Sequence, residues 1–252
     1  MYQSINRIVE ELKNNILSWG NVVCLTRMPL SSQIQDIVPV VKMDVYYRGI
    51  LPGCAQRQLS FTPCDFFETS EIRRKDRFFK DDIPVHLDYK SIERIESLTK
   101  DLMARGVLAM ESSTYGLYRI VHSLQITEDN SWLEGIRDTL SRLSGDFWKA
   151  HRQNLETRLE HLVVDLAQSE LLDNQYLYIQ ASSRFIETLV ELLFTINCEF
   201  MPSPELCTGV RSLEILPSGF TGTYDLLLRE GALDKSRRTE LARKLLNQLR
   251  VL

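Results

Sequence analysis

Apolar residues recur along this chain in two periods, and the change from one to the other divides it. Ile5, Ile8, Val9, Leu12 and Ile16 sit at helical spacing, with Arg7, Glu11 and Lys13 on the other face, so a helix is predicted from Ser4 to Trp19, ended by Gly20. Two strands are predicted next, Asn21 to Met28 and Val38 to Tyr47, the second dense in β-branched and aromatic residues. From Ile50 to Asp82 the pattern is irregular and punctuated by Pro52, Gly53 and Pro63, which reads as a long excursion. Strand periodicity returns with Val85, Leu87 and Tyr89, and the chain then opens into a helix with Ile92, Ile95, Leu98 and Leu102 on one stripe. Tyr115 to Leu124 alternates again and is predicted as a further strand.

After Ser131 the period is helical. Ser131 and Glu134 have the spacing of a capping box, and Leu133, Ile136, Leu140 and Leu143 follow. Long helices are predicted from about Asp146 to Leu171, with Leu155, Leu159, Leu162, Val163 and Leu166 inward, and from about Gln175 to Cys198, with Ile179, Ile186, Leu189, Leu193 and Ile196 inward. Shorter helices are predicted near Glu205 to Leu213 and Thr221 to Arg229, and a last one carries Leu241, Leu245 and Leu249. The fold class that follows is α+β: a small mixed sheet with flanking helices over residues 1–127, then an all-α helical bundle over 128–252, with the polar run Thr127 to Asn130 as the boundary.

Composition removes several functional classes. A formal charge of −4 argues against a protein that coats a nucleic-acid backbone, since phosphate binding needs a clustered cationic face. Five cysteines without a C-x-x-C pair indicate neither a zinc knuckle nor a disulfide framework; they read as buried free thiols of a reducing, cytoplasmic protein. No apolar run is long enough to cross a bilayer. There is no Gly-x-Ser-x-Gly and no Gly-x-x-x-x-Gly-Lys sequence, so the serine-hydrolase and P-loop readings have no support. Oligomeric state, including a homo-oligomer, is left open.

The candidate chemistry lies on two strands that each carry an acid among apolar neighbours: Asp44 in Val-Lys-Met-Asp-Val-Tyr-Tyr, and Asp88 in Pro-Val-His-Leu-Asp-Tyr-Lys. Period two puts Lys42, Asp44 and Tyr46 on one face of the first, and His86, Asp88 and Lys90 on one face of the second. A carboxylate in a half-buried strand is costly unless paired, hydrogen-bonded or bound to metal. Two readings follow: both acids ligate a hard divalent cation such as Mg²⁺, or they form salt bridges with Lys42, Arg48 or Lys90. His86 is either a packed strand residue or a base. Glu68 could add a carboxylate, and the basic run Arg73, Arg74, Lys75, Arg77 and Lys80 is either a solvated loop or a phosphate contact.

This order of elements resembles the nucleotidyltransferase superfamily, in particular its kanamycin-nucleotidyltransferase-like and minimal types. Val-His-Leu-Asp-Tyr-Lys-Ser-Ile-Glu-Arg-Ile-Glu is similar to the strand that carries the family's third carboxylate, and Tyr-Gly-Leu-Tyr-Arg-Ile-Val-His and Leu-Leu-Phe-Thr-Ile-Asn-Cys-Glu-Phe-Met-Pro are further points of likeness. The resemblance implies transfer of a nucleotidyl group from a nucleoside triphosphate to a hydroxyl, with Asp44 and Asp88 as catalytic metal ligands and Ser31, Ser32 and Lys42 at the phosphates. The sequence departs from the family in two places. No Gly-Ser pair stands where Leu30-Ser31-Ser32 does, and the acid pair of the first strand is reduced to Asp44. These departures imply the alternative, a catalytically degenerate member that acts as a binding or scaffolding module.

Overall fold

The computed structural model describes residues 2–29, 40–70, 72, 74–106, 108, 113–129, 131–202, 209–229 and 234–252. Helix α1 (Tyr2–Leu17) precedes strands β1 (Val22–Arg27) and β2 (Val41–Tyr47). Then come α2 (Cys54–Phe61), the strands β3 (Asp65–Ser70), β4 (Lys75–Lys80) and β5 (Ile83–Ser91), and helix α3 (Ile92–Arg105). Helix α4 (Tyr115–His122) and the two-residue strand β6 (Leu124–Gln125) lead into α5 (Ser131–Ser141), α6 (Gly145–Leu171), α7 (Gln175–Ile196), α8 (Phe220–Leu228) and α9 (Lys235–Leu249). The expected class holds: a mixed sheet with flanking helices, then a helical region. Contacts divide the chain into two compact units, Met1–Asp101 with Arg119–Arg142, and Leu102–Tyr118 with Leu143–Leu252.

In the first unit the sheet order is β3-β4-β5-β2-β1-β6. Among the described residues only β2 and β5 pair in parallel, and the chain between them is the excursion. That stretch is more regular than its punctuation predicts. It holds a helix and a hairpin, because Lys75–Lys80 is an alternating strand in which Asp76, Phe78 and Lys80 point inward. Asp81 and Asp82, both with positive φ, make the tight turn that joins β4 to β5. One face of the sheet packs on α1 and α2: Leu25, Val41, Met43, Val45, Val85, Leu87 and Phe78 close against Ile5, Ile8, Leu12, Ile16 and Phe61. Gly20, with a φ of +76°, ends the turn that returns α1 to the sheet.

That same face buries an ion pair. Arg57 on α2 and Asp76 on β4 are both 0% exposed, with Arg57 Nε 2.8 Å and Nη2 3.1 Å from the carboxylate. The remaining polar capacity is filled: Arg57 donates to the Pro52 carbonyl and to Thr69, and Thr69 and Tyr89 donate to Asp76 at 2.6 Å. This network fixes the excursion against the back of the sheet.

Several local readings change. Tyr115–His122 is helical, with only Leu124 and Gln125 in a strand. Thr114, Leu117, Ile120 and Ser123 are buried at a spacing of three, with Arg119 buried beside them, and a short apolar run carries both periods. The Ser131 amide and hydroxyl both donate to Asp129, and Glu134 accepts from Arg137. On α3 Thr99 takes the buried position given to Leu98, which is 38% exposed. The second unit is built on the α6–α7 hairpin, whose turn is capped by Asn174 accepting from the Leu177 amide. The α6 stripe is as expected, but the α7 stripe runs through Tyr178, Ala181, Phe185 and Leu189 and leaves Ile179 exposed. In its interior Glu191 accepts from the Thr114 amide at 2.8 Å and lies 3.3 Å from His151 Nε2. Among the described cysteines only Cys24 is buried, and Cys198 is exposed. The helix expected at Glu205 to Leu213 begins outside the described residues, as does Cys207. No described residue after β6 is in a strand.

The Arg57–Asp76 pair generates a stability prediction. Arg57→Met strands the Asp76 carboxylate in an apolar layer and should lower the unfolding free energy by about 3–5 kcal/mol in urea titration, whereas Arg57→Met with Asp76→Leu should recover most of that loss.

Candidate functional site

The other face of the same sheet is polar, and strand register sets its order. Thr26, Asp44, Asp88, Lys75 and Ser70 face one another in sequence across β1, β2, β5, β4 and β3. Next to that row runs a second: Lys42, His86, Arg77 and Glu68. Asp44 and Asp88 are therefore direct partners on parallel strands with side chains on one face, and Lys42 lies two residues before Asp44 on that face. Ser31 and Ser32 lie outside the described residues, as does Arg73 of the basic run.

Arg119, from α4, lies between the two acids. Its Nε donates to Asp44 Oδ2 at 2.9 Å, Nη2 to Asp44 Oδ1, and Nη1 to Asp88 Oδ2. Lys90 Nζ is 3.0 Å from Asp44 Oδ2, and Lys75 Nζ is 3.2 Å from Asp88 Oδ1. Every oxygen of both carboxylates thus faces a cationic donor. The planar guanidinium is suited to this because it forks onto one carboxylate and still has a donor for the second. Arg48, another of the three cations considered for these acids, pairs with Glu96 at 4.0 Å.

Local structure delivers Arg119 there. Helix α4 runs directly into β6, and β6 pairs with β1 through Arg27 and Leu124, so the helix end is held beside the β1–β2 side of the sheet. Arg137 on α5 donates to the carbonyls of Ile120 and Ser123 and fixes that end. Trp132 on α5 covers Tyr46 at a ring distance of 5.3 Å, and Lys90 lies 5.6 Å from the Tyr46 ring.

The electrostatics follow from crowding. Burial acts to raise the Asp88 carboxyl, but Arg119 and Lys75 outweigh it and leave the group below its ordinary value. Burial pulls the Lys90 ammonium down, with Arg119 adding to the effect against the pull of Asp44. Burial and then the Asp44 charge push the Tyr46 phenol well up. His86 is lowered by burial and by Arg77 and Lys42, which disfavours the imidazolium. Glu68 stands opposite Arg77, and with Ser70 and Lys75 both line a cavity of about 330 Å³ at the β3–β4 edge. Lys75 thus reaches Asp88 from the wall of that cavity.

Arg119 and Lys75 carry no sequence motif of their own. The available signal for Arg119 is a lone guanidinium inside the apolar run Tyr-Gly-Leu-Tyr-Arg-Ile-Val-His, which requires an acid partner once that run is buried. Among the described residues no group of three or more His, Cys, Asp and Glu side chains is placed to hold a metal ion, and no helix is long and apolar enough to cross a membrane.

Comparison with solved structures finds several similar chains. A nucleotidyltransferase-like protein from Exiguobacterium sibiricum 255-15 is similar over 99% of this chain and 74% of its own, at a TM-score of 0.47 and 11% sequence identity. No protein-family model matches the sequence, and no curated protein does.

The Asp88 shift sets an acid-limb prediction. A carboxyl held below its unfolded value of about 3.9 stabilises the fold above that pH and loses the contribution as pH falls through the folded value. Unfolding free energy should therefore drop below about pH 4, and Asp88→Asn should flatten that limb in denaturant titrations at stepped pH. An unchanged slope would show that Arg119 and Lys75 do not stabilise the Asp88 anion.

Proposed function

We propose that this protein is a nucleotidyltransferase-like chain without nucleotidyl transfer, in which an internal arginine has replaced the catalytic cations, and that it acts as a binding or scaffolding module. The supporting observation is the occupation of all four carboxylate oxygens of Asp44 and Asp88 by Arg119, Lys90 and Lys75. A divalent cation needs carboxylate oxygens free to coordinate it. Here three cations already meet two carboxylates, so an added metal would face net positive charge and would have to displace a guanidinium bonded through three nitrogens. The residues present do not fit magnesium.

The acids themselves favour a second reading. Their in-register convergence on one face is the arrangement that shared metal ligation requires. On that reading Asp44 and Asp88 are metal ligands, Lys42 meets the phosphates of a nucleoside triphosphate, and Arg119 must leave before a metal enters.

Calorimetry separates the two. Titration of the wild-type protein with ATP or GTP and magnesium should give no saturable heat, and a magnesium-dependent dissociation constant at or below about a micromolar, roughly −8 kcal/mol, would overturn the proposal. Arg119→Gln keeps much of the side-chain volume and removes the charge. It should create manganese binding that wild type lacks, read as a rise in melting temperature with added Mn²⁺. A wild-type protein stabilised equally by Mn²⁺ would contradict the reading.

A further inference from the structure

The helical unit carries a groove along α9, about 810 Å³ in volume and walled on one side by α8. Its floor is apolar, formed by Leu226, Leu241 and Val251, the first 39% and the last 85% exposed. Its rim holds Arg237, Arg243 and Lys244, with Glu240 as the single carboxylate. Arg237, Leu241, Lys244 and Gln248 follow one another at steps of four, three and four, so they form one stripe of the helix, turned away from the buried stripe of Ala242, Leu245 and Leu249, and Val251 lines the same groove from the turn after the helix.

The cations of α9 fall into two sets. Lys235 pairs with Asp173 at 2.8 Å, Arg250 pairs with Glu160, and Arg238 donates to the Arg229 carbonyl at 3.0 Å. Arg237, Arg243 and Lys244 have no ion-pair partner among the described residues, although the whole chain carries a net −4. A cationic rim in an acidic protein is set apart by its charge, and a floor of exposed leucine and valine is not what a solvated helix face presents.

We propose that this groove docks an acidic amphipathic helix of a protein partner. The eleven steps from Arg237 to Gln248 at 1.5 Å each make a track of about 17 Å, too long for a compact ligand and right for about three turns of a second helix. The partner lays an apolar stripe on Leu226, Leu241 and Val251 and sets carboxylates against Arg237, Arg243 and Lys244, whose aliphatic stems extend the floor. Glu240 disfavours uniform polyanions and fixes the register of the partner's charges. The inference concerns the helical unit alone and holds whether or not Asp44 and Asp88 ever bind metal.

The test uses full-length protein and a fluorescein-labelled helical peptide of about 18 residues, with leucine at the stripe positions and glutamate flanking them. Fluorescence anisotropy should show saturable binding in the micromolar range, weakened roughly tenfold or more by the surface variant Arg243→Glu with Lys244→Glu. That variant should in turn bind the matching peptide with lysine in place of glutamate, which wild type should not. Circular dichroism and thermal melting should be unchanged, because both side chains are exposed. Absence of peptide binding at about 1 mM, roughly −4 kcal/mol, overturns the proposal, as does equal binding by the variant. An oligouridylate that binds as tightly and is lost with the same substitutions would make the groove a polyanion site instead. Self-association in sedimentation that the same substitutions abolish would make the occupant a second copy of this chain.

Discussion

Two carboxylates side by side on parallel strands are the constraint around which the sheet unit is arranged. Neighbouring strands lie about 4.8 Å apart, so at an effective dielectric of about 20 the charges of Asp44 and Asp88 repel by roughly 3 kcal/mol before any cost of burial. Asp44 is 1% exposed and cannot rely on water. Counter-charge must come from a metal or from the chain, and here the chain provides it. Helix α4, the short β6 strand and the Arg137 clamp on the end of that helix together place one guanidinium where both acids reach it. Lys90 and Lys75 complete the set from the acid-bearing strand and from its hairpin neighbour.

The opposite face solves a similar problem in another way. Arg57 and Asp76 are sealed completely and meet every polar demand with Thr69, Tyr89 and the Pro52 carbonyl. That cluster serves the fold, since it ties the excursion to the sheet with both charged groups fully buried. The Arg119 cluster is partly exposed at Asp88 and extends through Lys75 to an open edge. A transferase would use the same geometry with metal between the acids. With Arg119 there, the chain itself meets the charge requirement of both acids.

Much of this was legible in the sequence, and the failures have physical causes. The acids stood out because Asp44 and Asp88 interrupt β-branched and aromatic strands, and period two gave their faces. Lys90 was readable as a partner for the same reason. Pairing was not readable, since the parallel register of β2 and β5 depends on what the excursion does, and the excursion concealed its own strand. Lys75 to Lys80 looked like a charge run because Lys75, Arg77 and Lys80 are basic, while the inward positions Asp76, Phe78 and Lys80 mix two charges with a ring. Arg119 was missed because Tyr115 to His122 fits periods of two and three equally well. The helix choice brings Arg119 to the acids, so one ambiguous run of eight residues decides between a metal site and a salt-bridge cluster.

The most direct measurement is anomalous diffraction from crystals of wild type and Arg119→Gln soaked in manganese. The expected result is no anomalous peak between Asp44 and Asp88 in wild type, with Arg119 still bonded to both, and a peak at that position in the variant. A manganese peak between the two carboxylates of the wild-type protein, with the Arg119 side chain displaced, would contradict the assignment of Arg119 as the permanent counter-ion.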